Sequence, residues 1–306
     1  MIETFERTLP HGITLSCRAA GTRGRPLMVF LHGFPEAAFI WDELLEHFAE
    51  EQHGGYRCVA PNLRGFERSS APKEVDAYKA PLMIQDIAAL AASEDAQGRI
   101  ATLVAHDWGG AFAWGFANAL PQRLDRLVII NSPHPATFAR ELQQSPAQQQ
   151  ASAYMNWLAQ PDSEALLAAD DYRRMWNFFT SMKAGADGHG WLTDATRDRY
   201  RAVWDQGLTG GCNLYRVTPL KPPLPGQPPV TMPSLPPERV RVRVEAPTLV
   251  LWALDDIALL PGLLDGLEQY VPRLEVKKVP DASHWIVHEQ PDLVAREIEA
   301  FIARHP

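Results

Sequence analysis

Six short apolar runs constrain this chain more than any other feature. They are LMVFL at 27–31, YRCVA at 56–60, ATLVA at 101–105, LVII at 127–130, PTLVLW at 247–252 and LEVKKV at 274–279. Each has the length of a strand. A half-solvated strand alternates apolar and polar side chains with a period of two, whereas near-continuous apolarity suits strands covered on both faces. Helix-like stretches such as 82–92 and 109–120 separate the runs, and strands alternating with helices build a parallel sheet. The expected class is α/β, with a mostly parallel, doubly wound sheet.

From about 136 to 237 the pattern changes. Helical periodicity is read at 139–159, 171–183 and 195–207, and no strand-like run falls among these segments. An inserted helical cap is expected there, dividing the chain into a core of 1–135, a cap of 136–237 and a second part of the core at 238–306. Nine of the 26 prolines lie between 219 and 237. They deprive the backbone of N–H donors and make an extended return connection the expected structure. A proline-rich stretch can also serve as a partner's ligand, but a stiff connector suits a chain that resumes its fold after Glu238. No internal repeat is evident.

The 306 residues, 46% of them hydrophobic, suit one large domain or a domain carrying an insertion,. With 37 acidic and 29 basic side chains the formal charge is −8, so no global positive field is available for nucleic acid or an anionic membrane surface. Cys17, Cys58 and Cys212 are too few and too scattered for a disulfide framework or a thiolate metal site,. The opening MIETFERTLPHG lacks the basic start and apolar stretch of a signal peptide,. Nowhere do about 18 apolar residues run together. A soluble, cytoplasmic protein is expected.

Residues 101–110, ATLVAHDWGG, join an apolar strand to a helix through a sharp turn. Ala105 and Gly109 flank Asp107 at two residues on either side. Small residues there let helix and strand approach, and the turn lifts the central side chain above the carboxyl edge of the sheet. An aspartate at such a junction is also a common helix N-cap. The segment alone leaves both readings open.

Four further segments accompany it: HGFPE at 32–36, NLRGFERSSAP at 62–72, the apolar strand leading to Asp256, and ASHW at 282–285. Together with HDWGG at 106–110 they make the chain resemble an α/β-hydrolase of the epoxide hydrolase and dehalogenase branch, over nearly its whole length. The resemblance implies a nucleophile, acid and histidine in that chain order: Asp107, Asp256 and His284. Asp255 is the fallback for the acid and His288 the weaker alternative for the base. Asn131, where some dehalogenases place the acid, cannot serve. The backbone N–H groups of Phe34 and Trp108 correspond to the family's oxyanion hole, and Pro35 to its cis-proline. His106 and Glu36 are assigned support roles. Arg64 is expected to satisfy loop carbonyls.

The residue types suit the chemistry. A serine that attacked a saturated carbon would be left as an ether, which water does not readily cleave. An aspartate is left as an ester, which a histidine-activated water can hydrolyse. The leaving group is then a strained epoxide oxygen or a halide. A halide needs N–H donors; the Trp108 indole qualifies, but Phe34 has none in its side chain. The absence of an arginine at the Trp108 position argues against haloacids. An epoxide oxygen needs neutral O–H donors. The resemblance supplies these in Tyr154, seven residues before Pro161, and Tyr215, in NLYR. Leu214 replaces the family's usual aromatic residue in that motif.

Trp157, Trp176, Phe178 and Phe179, with Trp191 and Trp204, are candidates to wall an apolar pocket under the cap. The expectation is an epoxide hydrolase acting on a small apolar epoxide with water, with no cofactor, no metal, no nucleic acid and no membrane. Its oligomeric state, monomer or homodimer, is left open. The alternatives are a haloalkane or haloacid dehalogenase with the same triad, and a non-catalytic protein that binds a ligand or partner.

Overall fold

The computed structural model describes residues 1–182, 190–224, 226–227 and 242–306. Among them eight strands form one sheet: β1 (Glu3–Thr8), β2 (Thr14–Ala20), β3 (Leu27–Leu31), β4 (Arg57–Pro61), β5 (Thr102–His106), β6 (Leu127–Ile130), β7 (Thr248–Ala253) and β8 (Leu274–Val279). Their spatial order is β1-β2-β4-β3-β5-β6-β7-β8. The pairings β1–β2 and β2–β4 are antiparallel, and every pairing from β4 through β8 is parallel.

The six apolar runs correspond to β3 through β8. Strands β3 to β7 are buried along their whole length, as continuous apolarity requires. The exception is β8. It is an edge strand whose middle residues, including Lys277 and Lys278, are exposed, and such charges discourage edge-to-edge pairing. Strands β1 and β2 carried no apolar run: β1 is exposed or half-buried throughout, and β2, although mostly buried, is interrupted by Ser16 and Arg18.

The order of strands reverses at β3 and β5. Chain succession runs outward from β3 to β4 on one side, then from β5 to β6 on the other. Such a switch point opens a crevice at the carboxyl ends of the strands. Leu31 pairs with Ala105 at that end, so the loops that follow, with Phe34 and Asp107, face each other across it.

Helices α1 (Asp42–Ala49), α2 (Ala80–Glu94), α3 (Trp108–Ala119), α10 (Ile286–Glu289) and α11 (Pro291–Arg304) cover the sheet. Among the described residues six more stand between β6 and β7: α4 (Pro135–Gln144), α5 (Pro146–Ala151), α6 (Tyr154–Leu158), α7 (Ser163–Thr180), α8 (Asp194–Trp204) and α9 (Thr209–Val217). The single helix expected over 139–159 is therefore three. Ser145 breaks the first and caps the second, accepting from the Gln148 N–H, and Pro146 follows it,. Helix α7 starts earlier than its periodicity suggested and is kinked, with Asp170, Asp171 and Tyr172 at positive φ. Residue 183, the expected end of that segment, lies outside the described residues, as do the 237/238 boundary and much of the proline-rich stretch.

The inserted helices lie over the carboxyl edge of the sheet and are tied to its loops. The Trp204 indole donates to the Pro35 carbonyl at 2.8 Å, Trp285 to Phe178 O at 3.2 Å and Gln148 Nε2 to Ala258 O at 2.8 Å. Among the described residues no helix is long and apolar enough to cross a membrane.

Candidate active site

Asp107 sits directly after β5 with φ 49° and ψ −121°. A non-glycine residue in this region is strained by about 1–3 kcal/mol. Its surroundings hold it there: the Ser132 hydroxyl donates to the Asp107 carbonyl at 2.6 Å, and the Ala111 N–H donates to the same oxygen at 3.1 Å. Two glycines make room. A Cβ on Gly109 would lie 2.5 Å from the Leu31 carbonyl oxygen, and one on Gly33 would lie 2.1 Å from Asp107 Oδ1. The expectation of small residues around the elbow thus has a steric cause in the neighbouring strand.

The two carboxylate oxygens of Asp107 have different neighbours. Oδ1 accepts the Phe34 N–H at 2.8 Å. Oδ2 faces His284 Nε2 at 3.7 Å, too far for a hydrogen bond and close enough for a strong charge interaction. Trp108 opens α3, so its N–H has no acceptor within the helix,. The Phe34–Pro35 peptide is cis.

His284 comes from the loop after β8. Its Nδ1–H donates to Asp256 Oδ2 at 2.6 Å. Asp256 is 3% exposed and accepts three further hydrogen bonds, from Asn131 Nδ2 at 2.7 Å, Ala258 N at 2.8 Å and Leu259 N at 2.9 Å. Burial opposes its charge, but the His284 imidazolium and these donors outweigh burial and hold its carboxyl below the usual range,. For His284, burial likewise opposes protonation. The charge and hydrogen bond of Asp256 and the charge of Asp107 overcome it, raising the pKa to about 9. At neutral pH the imidazole is therefore protonated between two carboxylates.

Asp255 is exposed. Asp256 is the acid that meets His284, and His288 instead contacts Glu36 Oε1 at 3.1 Å and the Tyr200 hydroxyl at 2.7 Å. Sequence reasoning set Asn131 aside because an amide cannot replace the acid. Its part is different: it donates to Asp256 and accepts the Ala253 N–H at 2.9 Å, which locks the carboxylate in place. A polar residue at the end of β6, next to the acid's strand, was the available signal.

The residues given support roles form a buried cluster behind His284. His106 Nδ1 lies 2.9 Å from Glu36 Oε2, and its Nε2 lies 2.9 Å from the His284 carbonyl oxygen. Both partners are acceptors. His32 Nε2 accepts the Leu63 N–H at 3.0 Å and its Nδ1–H donates to Gly33 O at 2.8 Å. That is a neutral tautomer, consistent with burial lowering its pKa to about 4. Arg64 forks onto Asp86 at 2.6 and 2.9 Å and donates to the Ala77 carbonyl at 2.7 Å, away from Asp107.

Above Asp107 lies a cavity of about 360 Å³, lined by Phe34, Asp107, Tyr154, Phe178, Tyr215 and His284, with Trp285, Met182, Ile257 and Ala258 among its other walls. Volumes of a few hundred Å³ suit small ligands. Tyr215 stands edge-on to Trp108 and Phe34, with ring centroids 5.2 and 5.5 Å away, and 6.0 Å from Tyr154. Burial, and then the charges of Asp107 and Asp256, push the Tyr154 phenol upward. Burial, Tyr154 and Asp107 do the same to Tyr215. Both remain O–H donors.

Of the aromatic residues expected in the pocket wall, Phe178 lines the cavity. Trp157, Trp176 and Phe179 do not. Trp176 and Phe179 pack with Trp204 inside the helical layer, Phe179 also meets Trp191 and Trp285, and Trp157 stacks beside Arg174. The correction has a simple cause: helical periodicity marks an apolar face without saying whether it covers a ligand or another helix.

Residues 26–291 match the protein family described as alpha/beta hydrolase fold. The chain is 32% identical to Epoxide hydrolase 4 of Mus musculus over 97% of its own length and 79% of the relative's. It is 31% identical to the AB hydrolase superfamily protein YfhM of Bacillus subtilis (strain 168), over 95% of each chain. A solved structure described as one of the novel epoxide hydrolases from metagenomes of hot environments superimposes with a TM-score of 0.86 at 35% identity, covering 99% of both chains. The epoxide hydrolase of Bacillus megaterium in complex with an inhibitor gives 0.81 at 27% identity, covering 98% of this chain and all (100%) of that one. With its strained aspartate, its histidine–carboxylate pair and these relatives, the chain belongs to the α/β-hydrolase family, among the epoxide hydrolases.

Proposed function

We propose that this protein hydrolyses a small apolar epoxide to a vicinal diol through an ester on Asp107, with the inserted helices acting as a cap over the reacting atoms. The observation that carries the reading is the division of labour at Asp107: Oδ1 is held by the Phe34 N–H while Oδ2 faces the cavity side near His284.

In the first step Oδ2 attacks an epoxide carbon, that carbon's bond to the ring oxygen breaks, and the oxygen takes a proton from Tyr154 or Tyr215. Charge leaves Asp107 as the ester forms. The attraction that held a proton on His284 is then weakened, and the proton can pass to the tyrosinate. This resets the phenol and leaves the imidazole neutral. In the second step His284 takes a proton from water, with Asp256 fixing the ring and stabilising the imidazolium. Hydroxide adds to the ester carbonyl carbon, and the oxyanion develops on Oδ1, where the N–H groups of Phe34 and Trp108 receive it. Collapse releases the diol oxygen, which takes the proton from His284, and the Asp107 carboxylic acid so formed passes its proton to His284, restoring the starting state. Epoxide and water are consumed, and no cofactor enters the balance.

Halide release from the same aspartate lacks a side-chain N–H at Phe34. One experiment separates the readings. His284→Gln stalls the second step, and intact-protein mass spectrometry after exposure to an aryl epoxide is expected to show a gain equal to the whole epoxide. A gain from a halogenated alkane equal to its mass less HX, without an epoxide adduct, refutes the assignment in favour of dehalogenation. No adduct from either refutes catalysis through Asp107.

A further inference from the structure

Outside the catalytic cavity, three side chains with metal-ligand chemistry meet on one atom. His47 lies in the last turn of α1 and His53 ends a short 3-10 turn, Glu51–His53. Glu299 projects from α11. His47 Nε2 is 2.8 Å from Glu299 Oε1, and His53 Nδ1 is 2.5 Å from the same oxygen. The two imidazoles are stacked, with centroids 3.8 Å apart and planes 23° from parallel. One ligand atom from each residue falls within a sphere of contacts no longer than 4.8 Å.

We propose that His47, His53 and Glu299 form a binding site for one divalent transition-metal ion of the zinc type. The sequence reading expected no metal, because it sought thiolates and local spacing, and Glu299 is 246 residues from His53.

The donor set selects the ion. Two imidazoles and a carboxylate suit zinc and its neighbours, whereas magnesium and calcium require oxygen donors. In a tetrahedral zinc site, bonds of about 2.0–2.2 Å place ligand atoms roughly 3.3 Å apart. Glu299 Oε1 must therefore retreat by less than about 1 Å from each nitrogen, which a one-third exposed side chain can do. The imidazoles are similarly exposed, 29% and 28%, so a hydrated ion can enter and water can complete the coordination.

The surroundings favour a cation. From 42 to 53 the sequence DELLEHFAEEQH holds five acids and no lysine or arginine; Asp42 is paired with Arg18 and Arg199 and Glu46 with the N-terminal amine, which leaves Glu43, Glu50 and Glu51. Among the described residues the ion-pair partners of Glu299 are the two histidines, and no lysine or arginine among them occupies the carboxylate. Gln52 Nε2 lies 3.3 Å from the other ring nitrogen of His53, Nε2, and donates to Glu50 Oε2 at 2.8 Å. When Nδ1 ligates, the proton moves to Nε2, and the Gln52 amide must exchange its Glu50 contact to accept from that N–H. A metal-bound histidine ordinarily has such an outer partner. The ion would staple α1 to α11 across the chain.

The test uses the full chain dialysed against EDTA, with zinc chloride titrated by calorimetry and Tm read in parallel. One equivalent of zinc is expected, with a Tm rise of roughly 4 °C at 100 times Kd, and magnesium chloride is expected to do nothing. Glu299→Gln keeps an acceptor for the imidazoles and is expected to weaken zinc at least tenfold. The pair His47→Gln/His53→Gln is expected to abolish the binding while its zinc-free circular dichroism matches the parent. Absence of binding in the parent overturns the proposal. So does unchanged binding in Glu299→Gln or in the double variant, since the zinc then sits elsewhere. These readouts do not involve epoxide turnover, so failure here leaves the proposed reaction untouched.

Discussion

Asp256→Asn tests how the acid controls the base. The carboxylate accepts Ala258 N and Leu259 N on Oδ1, and Asn131 Nδ2 and His284 Nδ1 on Oδ2. An asparagine has one acceptor atom for these two sets. Turning its oxygen toward Asn131 and His284 leaves two backbone donors unmatched. Turning it toward the backbone leaves one, Asn131 Nδ2, because the Asn131 oxygen already holds the Ala253 N–H. At about 1–3 kcal/mol per buried unsatisfied donor, the difference of one donor favours the second orientation by about fivefold or more. It aims an NH2 group at His284 Nδ1, which must then carry a lone pair, so the proton sits on Nε2, where the base is needed.

The charge is lost as well. A pKa of about 9 against the ordinary 6.5 is a roughly 300-fold gain in proton affinity, achieved against burial and owed first to Asp256,. The tautomer and the charge together set the expected slowing of ester hydrolysis at about 10³-fold, within the range for removing acid–base catalysis. Single-turnover stopped flow, following the fluorescence of Trp108 and Trp285 beside the site, separates the two steps. Ester formation is expected to persist and the ester to accumulate. Hydrolysis within tenfold of the parent rate would refute the argument.

Replacing Tyr154 and Tyr215 together by phenylalanine is expected to slow ester formation by at least about 10³-fold, two donors at the developing alkoxide being removed. Circular dichroism should be unchanged, and undiminished single-turnover alkylation would show that the phenols do not assist. Stability should peak near pH 6.5. Above it, His284, whose folded pKa is raised to about 9, loses its contribution as pH rises through that value. Below it, His32 and His134, buried and lowered to about 4, lose theirs because the unfolded chain takes up protons first,. A Tm that climbs steadily from pH 6.5 to 9 would contradict this account.

The sequence carried the class of fold because burial on both faces leaves a signature in composition alone: β3 to β7 are buried at every position and, apart from Arg57, Thr102, His106 and Thr248 at strand ends, apolar. It carried the elbow for a similar reason. Only a residue without a Cβ fits where α3 passes the end of β3, so the packing of the neighbouring strand is marked in the sequence by Gly109. A solvated edge such as β1 leaves no such mark, and β2, buried beside it, is interrupted by Ser16 and Arg18, so both went unread. Nor does helical periodicity name the partner of an apolar face, which is why Trp157, Trp176 and Phe179 were expected at a pocket that they do not line.

Tertiary structure alone decided what depends on atoms meeting from distant segments. The sequence already favoured Asp256 over Asp255, but the lock on Asp256 by Asn131 and the contact of His106 with the His284 carbonyl are matters of angstroms between loops from different strands. The meeting of His47, His53 and Glu299 is of the same kind. Residue types limit which chemistry is possible, and local pattern sets strand and helix. Hydrogen bonds and charges act over a few angstroms, so which groups work together is settled only when the chain has closed on itself.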